Sequence, residues 1–230
     1  MFGFSYRGYL QRFYSTAEQE TLVRFAAGLL KDCGIGDPVA FRAGGFGANQ
    51  DTMDALVNAG IRYDSSFNIG YTPEKCRLPP PPSYGEPYGI RGIEEYPVGA
   101  FKDYPGHYRP LQICACSASE IIHALERAEQ CGWRYVVIIS HTFEMLSGQW
   151  KGKARVRNEV VHRFEKLCSF LAENRDRFQT VGFEDLDVGD SETRSCPPNV
   201  RGTIVNTGLR QLSQTMNRIR DALHVAQVRG

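Results

Sequence analysis

The feature that most constrains this chain is a run of five apolar residues from Tyr135 to Ile139. A strand that is apolar on both faces is typical of a parallel sheet, which is covered on its two sides. Parallel strands also need long crossover connections, and these are usually α-helices. The run therefore predicts an α/β protein built from βαβ units.

Two capping boxes mark the starts of predicted helices. Ser15 and Ser117 are each followed three residues later by a glutamate, Glu18 and Glu120. This spacing lets the hydroxyl and carboxyl groups satisfy free amides at a helix start. Apolar residues follow the first box at helical spacing, and Gly34 is a suitable stop. The predicted inward stripe of this helix consists of Leu22, Phe25, Ala26, Leu29 and Leu30.

Helices and strands alternate along the rest of the chain. We predict helices at about 16–33, 118–131, 154–174 and 206–226, with a further short helix between Asn49 and Gly60. We predict strands at 39–41, 61–63, 93–98, 135–139 and 178–183, with a long irregular loop at 69–92. The alternation favours parallel βαβ units. It divides the chain into an α/β domain at 1–187 and a linker with a carboxyl-terminal helix at 188–230.

Charge and hydropathy exclude several classes of partner. The 230-residue chain has 27 basic and 26 acidic residues and a formal net charge of +1, so we expect neither nucleic acid nor a membrane as partner. No apolar run approaches the length of about 18 residues that a transmembrane helix needs. Residues 1–15 lack the apolar centre of a signal peptide. We therefore expect a cytoplasmic protein with reduced cysteines, of an oligomeric state that the sequence does not indicate.

Three polar residues follow predicted strand ends, where α/β folds place their functional sites. They are Arg42, Asp64 and His141. Each has an ordinary structural alternative: a surface arginine, an aspartate in a turn or cap, and a hydrogen-bonded core histidine. The functional interpretation of His141 is a general acid, because an imidazole is well suited to proton transfer near neutral pH.

A family resemblance covers roughly residues 15–186. The stretches 41–49, 51–56 and 60–66 (FRAGGFGAN, DTMDAL and GIRYDSS) resemble the middle of the polysaccharide deacetylases, the NodB-homology group. The run 137–141 (VIISH) resembles the late motif of that family, an apolar strand that ends in a histidine. The stretches between 41 and 66 are the specific part of the resemblance.

The resemblance implies a fold, a cofactor and roles for individual residues. The family's fold is a partial, distorted (β/α) barrel, in which a divalent metal, usually zinc, polarises an acetyl carbonyl and activates a water molecule. By position, Arg42 would orient the catalytic base, Asp64 would brace the site, and His141 would protonate the departing amine. The expected partner is a carbohydrate substrate. Its candidate contacts are Phe46, Tyr63 and His107.

The family's metal-binding motifs have no match in this chain. Neither its early aspartate pair nor its paired histidine motif is present, and residues 1–40 contain no histidine. We expect either a shortened reading frame, with Met1 an internal methionine, or a natural half-domain without catalysis. The predicted function is a metal-dependent hydrolase that removes acetyl groups from a carbohydrate, truncated or inactive as it stands. The alternatives are a non-catalytic carbohydrate-binding or interaction module, and an α/β hydrolase or transferase with other chemistry.

Overall fold

A computed structural model of the protein describes residues 11–147 and 154–186, together with Gly208 and Thr215. The predicted helix at 206–226, and with it the region 188–230, lies outside the described residues apart from these two positions. The predicted helices at 16–33, 49–60 and 118–131 are confirmed. The helix predicted at 154–174 is also present, but it begins at Asn158. The α-helices of the described residues are α1 (Thr16–Asp32), α2 (Gln50–Asn58), α3 (Ala118–Gln130) and α4 (Asn158–Glu173).

Capping boxes explain why the first three helices begin where they do. The side chains of Ser15, Asn49 and Ser117 each accept a hydrogen bond from the amide three residues further on. The Glu18 carboxylate accepts the Ser15 amide at 2.8 Å, and Glu120 accepts the Ser117 amide at 2.8 Å. Each pair satisfies amides that a helix start leaves free, so local contacts set these boundaries.

The main sheet has four short strands in the order β1-β2-β4-β3. They are β1 (Ala40–Phe41), β2 (Tyr63–Asp64), β3 (Tyr88–Ile90) and β4 (Ile93–Glu95). β1, β2 and β4 are parallel, whereas β3 pairs with β4 in the antiparallel direction. The register places Phe41, Asp64 and Glu95 side by side. Paired positions of adjacent strands share a face of the sheet, so the last two are neighbouring acidic side chains.

The run from Tyr135 to Ile139 pairs with neighbouring segments through isolated parallel bridges and is not a strand of the main sheet. Val137 pairs with Val98, and Ile139 pairs with Gln112. Ile139 is buried, but the four residues before it are half-buried, because they line a cavity. The prediction of a strand buried on both faces is therefore wrong for most of this run.

Two hairpins complete the strands of the described residues. They are β5 (Ala100–Tyr104) with β6 (His107–Pro110), and β7 (Leu146–Ser147) with β8 (Arg155–Val156).

The predicted strand at 178–183 is wrong, because this segment pairs with no strand in the part of the chain that the structure describes. A 3-10 turn lies at Phe183–Asp185. The mixed α/β class is confirmed, and the sheets among the described residues are small and form no closed barrel.

Two clusters of buried apolar side chains form the core. The first includes Met53 and Leu56 of α2 together with Ile93 of β4. The second includes Ile121 of α3 and Leu167 of α4. Burial of apolar area of this kind is the main favourable contribution to folding, and the two clusters hold the helices in place around the strand ends.

The apolar stripe predicted for α1 is mostly exposed. Phe25, Leu29 and Leu30 are 49%, 51% and 41% exposed, whereas Val23 belongs to the first core cluster. Gln19 is also buried, and its side-chain amide donates to the Tyr14 carbonyl at 2.9 Å. Periodicity therefore located this helix but not its buried face. Within the described ranges, none of the helices is both long and apolar enough to cross a membrane.

Candidate functional site

The Arg42 side chain lies across the carboxyl ends of three strands. It follows β1, and its Nε and Nη2 atoms donate to the carbonyl and hydroxyl oxygens of Ser65, each at 2.9 Å. The Ser65 hydroxyl in turn donates to the Tyr96 carbonyl at 2.8 Å. Two parallel bonds fix the orientation of a planar guanidinium, so Arg42 is held in one position above β1, β2 and β4.

Arg42 is a cation beside buried carboxyl groups. The protein around the guanidinium shields it from water and lowers the pKa of Arg42, and the carboxyl groups of Asp64 and Glu95 act in the opposite direction. The residue as a whole remains exposed. A guanidinium is not deprotonated in proteins, so Arg42 keeps its positive charge.

The loop after Arg42 has an unusual backbone. Gly45 and Phe46 have φ angles of 59° and 61°, in the left-handed region that costs a non-glycine residue about 1 kcal/mol or more. The Phe46 ring stacks on Tyr71 with a centroid distance of 4.9 Å. Phe46, a candidate substrate contact, is thus buried in the first core cluster.

Asp64 forms a buried carboxyl pair with Glu95, which sequence reasoning missed. Both residues are fully buried, and they are paired positions on β2 and β4. Ser66 donates to Asp64 through its hydroxyl at 2.7 Å and through its amide at 3.2 Å. The Phe67 amide donates to Glu95 at 2.8 Å. Asp64 and Arg42 are therefore brought together around two adjacent serines.

Burial sets the protonation of this pair. It raises the pKa of Asp64, and it raises the pKa of Glu95 well above its usual range, where the negative charge of Asp64 adds to the effect. Adjacent buried carboxyl groups do not both ionise, so one proton stays with the pair. A sequence signal for Glu95 existed, because it is an acidic residue within the predicted strand 93–98.

His141 is exposed and lies at the end of the run that begins at Tyr135. Its Nδ1 atom lies 3.1 Å from Oε1 of Glu144. The same Glu144 oxygen accepts a hydrogen bond from Gln112 at 2.5 Å. A carboxylate at Nδ1 orients an imidazole and leaves Nε2 as the nitrogen for proton transfer. Glu144 is thus a second functional candidate that sequence reasoning missed, although it lies only three residues after His141.

His107 belongs to a separate polar cluster on the β5-β6 hairpin. Its Nδ1 atom lies 2.5 Å from Asp103, and Nε of Arg109 donates to the same carboxylate at 2.7 Å. The Tyr104 ring stacks on the His107 ring with a centroid distance of 4.4 Å. Burial acts to raise the pKa of Asp103, but the hydrogen bonds from His107 and Arg109 hold it below its usual value.

A cavity of about 570 Å³ lies beside Arg42 and the segment 135–140. Arg42 and Ser140 line it, and most of the other lining side chains are apolar. Tyr63, a candidate substrate contact, is only 3% exposed and packs its ring against Phe183 of the cavity wall at 5.9 Å. Of the three predicted catalytic residues, Arg42 lines the cavity, whereas His141 and Asp64 lie outside its lining. Ser140, the residue before His141, is part of the lining.

The described residues do not fit the zinc centre that the resemblance implies. Within the described ranges, no group of three or more His, Cys, Asp or Glu side chains is placed to hold a metal ion. A catalytic zinc site has three protein ligands and commonly uses histidine. The Asp64–Glu95 pair is fully buried and takes its hydrogen bonds from Ser66 and Phe67, which suits a structural role better than metal binding.

Comparisons with known proteins add no family assignment. No protein-family model, no curated protein and no solved structure matches this chain. The resemblance to the polysaccharide deacetylases therefore rests on the sequence stretches around Arg42, Asp64 and His141. The substrate contacts assigned to Phe46, Tyr63 and His107 stay predictions, and the first two are buried in the described structure.

Proposed function

We propose that this protein is a hydrolase of the polysaccharide deacetylase type, which removes acetyl groups from a carbohydrate. The observation that carries the proposal is the cavity lined by Arg42 and by Ser140, the residue before His141. A fixed cation stabilises an oxyanion, and an accessible imidazole protonates a leaving group. These are two of the groups that hydrolysis of an acetyl bond requires.

In this proposal Arg42 binds the acetyl carbonyl oxygen. Its bonds to Ser65 hold the guanidinium in place, so it meets the developing negative charge without rearrangement. His141 gives a proton to the amine nitrogen, or to the alcohol oxygen of an ester, as the bond to the acetyl carbon breaks. Water adds to the acetyl carbon and supplies the oxygen of the released acetate, and the proton that this water loses restores the protonated form of His141. Glu144 at Nδ1 orients the ring for this proton transfer.

We assign no step of this reaction to a metal ion. The donor groups of the described residues do not form a zinc site. Asp64 and Glu95 are the buried carboxyl groups beside Arg42, and they do not line the cavity. The effect of added zinc on acetate release is therefore part of the test.

A carbohydrate-binding module without catalysis is the second candidate, and one observation favours it. Tyr104 is 50% exposed, and its ring lies at only 6° to the ring of His107. The β5-β6 hairpin thus carries a flat, accessible aromatic surface with polar atoms at its edge, and such surfaces are common in recognition sites. Under this candidate, Y104A weakens oligosaccharide binding, and no acetate is released.

Acetate release by the 230-residue chain tests the proposal. The substrates are N-acetylated chito-oligosaccharides and an O-acetylated glycan, each with and without added zinc. We expect release that H141A reduces by about a hundredfold or more. The matched control is H162A, at an exposed histidine that pairs with Glu165 on α4, and it should retain full activity. Oligosaccharide binding without acetate release would contradict the hydrolase and support the module.

A further inference from the structure

Hydrogen-bond donors are distributed unequally between the carboxyl groups of Asp64 and Glu95. The two oxygens of Asp64 receive the hydroxyl and the amide of Ser66, as suits an ionised carboxylate. On Glu95, Oε1 receives the Phe67 amide, whereas Oε2 is buried and has no hydrogen-bond donor among the described residues. An ionised Glu95 would leave a charged oxygen unpaired in the interior, which is strongly unfavourable.

A proton on Oε2 of Glu95 removes this problem. A protonated carboxyl group is a hydrogen-bond donor, and Asp64 is the acidic residue beside it in the strand register. Burial and the charge of Asp64 both raise the pKa of Glu95, in agreement with the donor pattern. The pair then carries a single negative charge, on Asp64.

Arg42 balances that charge. The ionisable groups that face the pair are Arg42 after β1, Cys76 from the loop after β2, and Tyr88 of β3. Burial raises the pKa of Cys76 and of Tyr88, so both are uncharged at neutral pH. Among the described groups that act on the pair, Arg42 is therefore the one cation.

We propose that Glu95 is a positioning residue for Arg42, and that it acts through a proton shared with Asp64. The effect of Glu95 on catalysis rests on the proposed function, whereas its effect on the position of Arg42 does not. With one proton in the pair, Asp64 accepts from Ser66, and the adjacent Ser65 holds the guanidinium. Loss of the proton places two negative charges side by side in the interior and displaces the strand end that carries both serines.

Nuclear magnetic resonance tests the shared proton directly. The side-chain carboxyl carbon of Glu95 should titrate well above the ordinary glutamate pKa of 4.5. The Nε–H group of Arg42 should be protected from solvent exchange by its bond to Ser65. In the wild type this protection should be lost as the pH rises through the Glu95 transition.

Two variants separate positioning from a general loss of structure. E95Q keeps a donor for Asp64 but cannot ionise, so Arg42 should stay protected at alkaline pH values where the wild type has lost protection. E95A has neither donor nor charge and should lose protection at every pH. The matched control E94Q should behave as the wild type does. Because alkali accelerates exchange of every guanidinium, the readout is the difference between wild type and E95Q.

Either of two results would overturn the inference. One is a Glu95 that is ionised at neutral pH. The other is loss of Arg42 protection at the same pH in wild type and E95Q. Acetate release on the same samples separates this inference from the hydrolase. If wild-type turnover falls at alkaline pH and E95Q does not show this fall, both the shared proton and the hydrolase are supported. If Glu95 titrates at raised pH but no acetate is released, the shared proton is supported and the hydrolase is contradicted. Acetate release with an ionised Glu95 contradicts the shared proton alone.

Discussion

Glu95 lies beside Asp64 in the register of two parallel strands, and neither side chain is accessible to solvent. Acidic side chains are almost never fully buried unless they are paired. Here the partner is a second carboxyl group, and the arrangement is tolerable because the pair holds one proton and faces Arg42. This relationship connects the interior of the sheet with the cation of the proposed site.

The shared proton predicts a pH-dependent difference in stability between E95Q and the wild type. Burial raises the pKa of Glu95 in the folded protein above its ordinary value of 4.5. The stabilisation that this proton provides is complete below that pH and declines as the pH rises towards the folded-state value. Glutamine has no such proton. The free energy of unfolding of E95Q should therefore rise relative to that of the wild type by about 1.4 kcal/mol per pH unit across this window. Urea unfolding at several pH values measures the difference.

The neighbouring variant E94Q is the control for that experiment. It removes a glutamate of the same strand that is half-buried rather than fully buried, and its slope with pH should be much smaller than that of E95Q. If the difference between E95Q and the wild type is the same at every pH, Glu95 does not hold a proton in the folded state, and the account of the pair is wrong.

Glu144 should affect turnover through His141. E144Q keeps an oxygen near Nδ1 of His141, which lies 3.1 Å from the carboxylate, but it replaces the carboxylate that orients the ring by a weaker, neutral acceptor. We therefore expect kcat to fall by at least about tenfold. The matched control is E165Q, which alters an exposed histidine–glutamate pair with the same spacing, His162 with Glu165. Equal effects of E144Q and E165Q on kcat would argue against this role.

Asp103 should stabilise the β5-β6 hairpin in a pH-dependent way. Burial acts to raise the pKa of Asp103, but His107 and Arg109 hold it below its ordinary value. The stabilisation is therefore present above the unfolded-state pKa and is lost as the pH falls through the lower folded-state value. D103N should reduce the free energy of unfolding by about 2 kcal/mol at neutral pH and by less in acid, as measured by urea unfolding.

The control for the hairpin is D37N, at an exposed aspartate that pairs with Lys31. Exposed ion pairs contribute little to stability, so D37N should change the free energy of unfolding by less than about 1 kcal/mol. If D103N lowers the free energy of unfolding equally in acid and at neutral pH, Asp103 does not act through its charge.

Features that depend on local contacts could be predicted from the sequence. The helices α1 and α3 begin where Ser15 and Ser117 meet glutamates three residues away, and those contacts do not depend on the rest of the fold. The strand ends likewise placed Arg42 and Asp64 at one edge of the sheet, where Ser65 and Ser66 bring them together.

Features that depend on distant neighbours could not be predicted in the same way. Phe25 has the spacing of an inward residue, but its burial depends on what packs against α1, and it is exposed. The run from Tyr135 to Ile139 has the composition of a central strand, yet it borders a cavity and pairs only through bridges. Glu95 meets Asp64 only through the register of two strands, which a single sequence does not display.

Replacement of Arg42 by lysine tests the central claim most directly. Lysine keeps the charge, but an ammonium group does not reproduce the planar, two-pronged contact that the guanidinium makes with Ser65. We predict that kcat/KM for acetate release from an N-acetylated oligosaccharide falls about a hundredfold in R42K. R175K, at an exposed arginine outside the cavity lining, should retain wild-type activity. Equal activity of R42K and the wild type would contradict the claim that Arg42 is positioned for hydrolysis of an acetyl group.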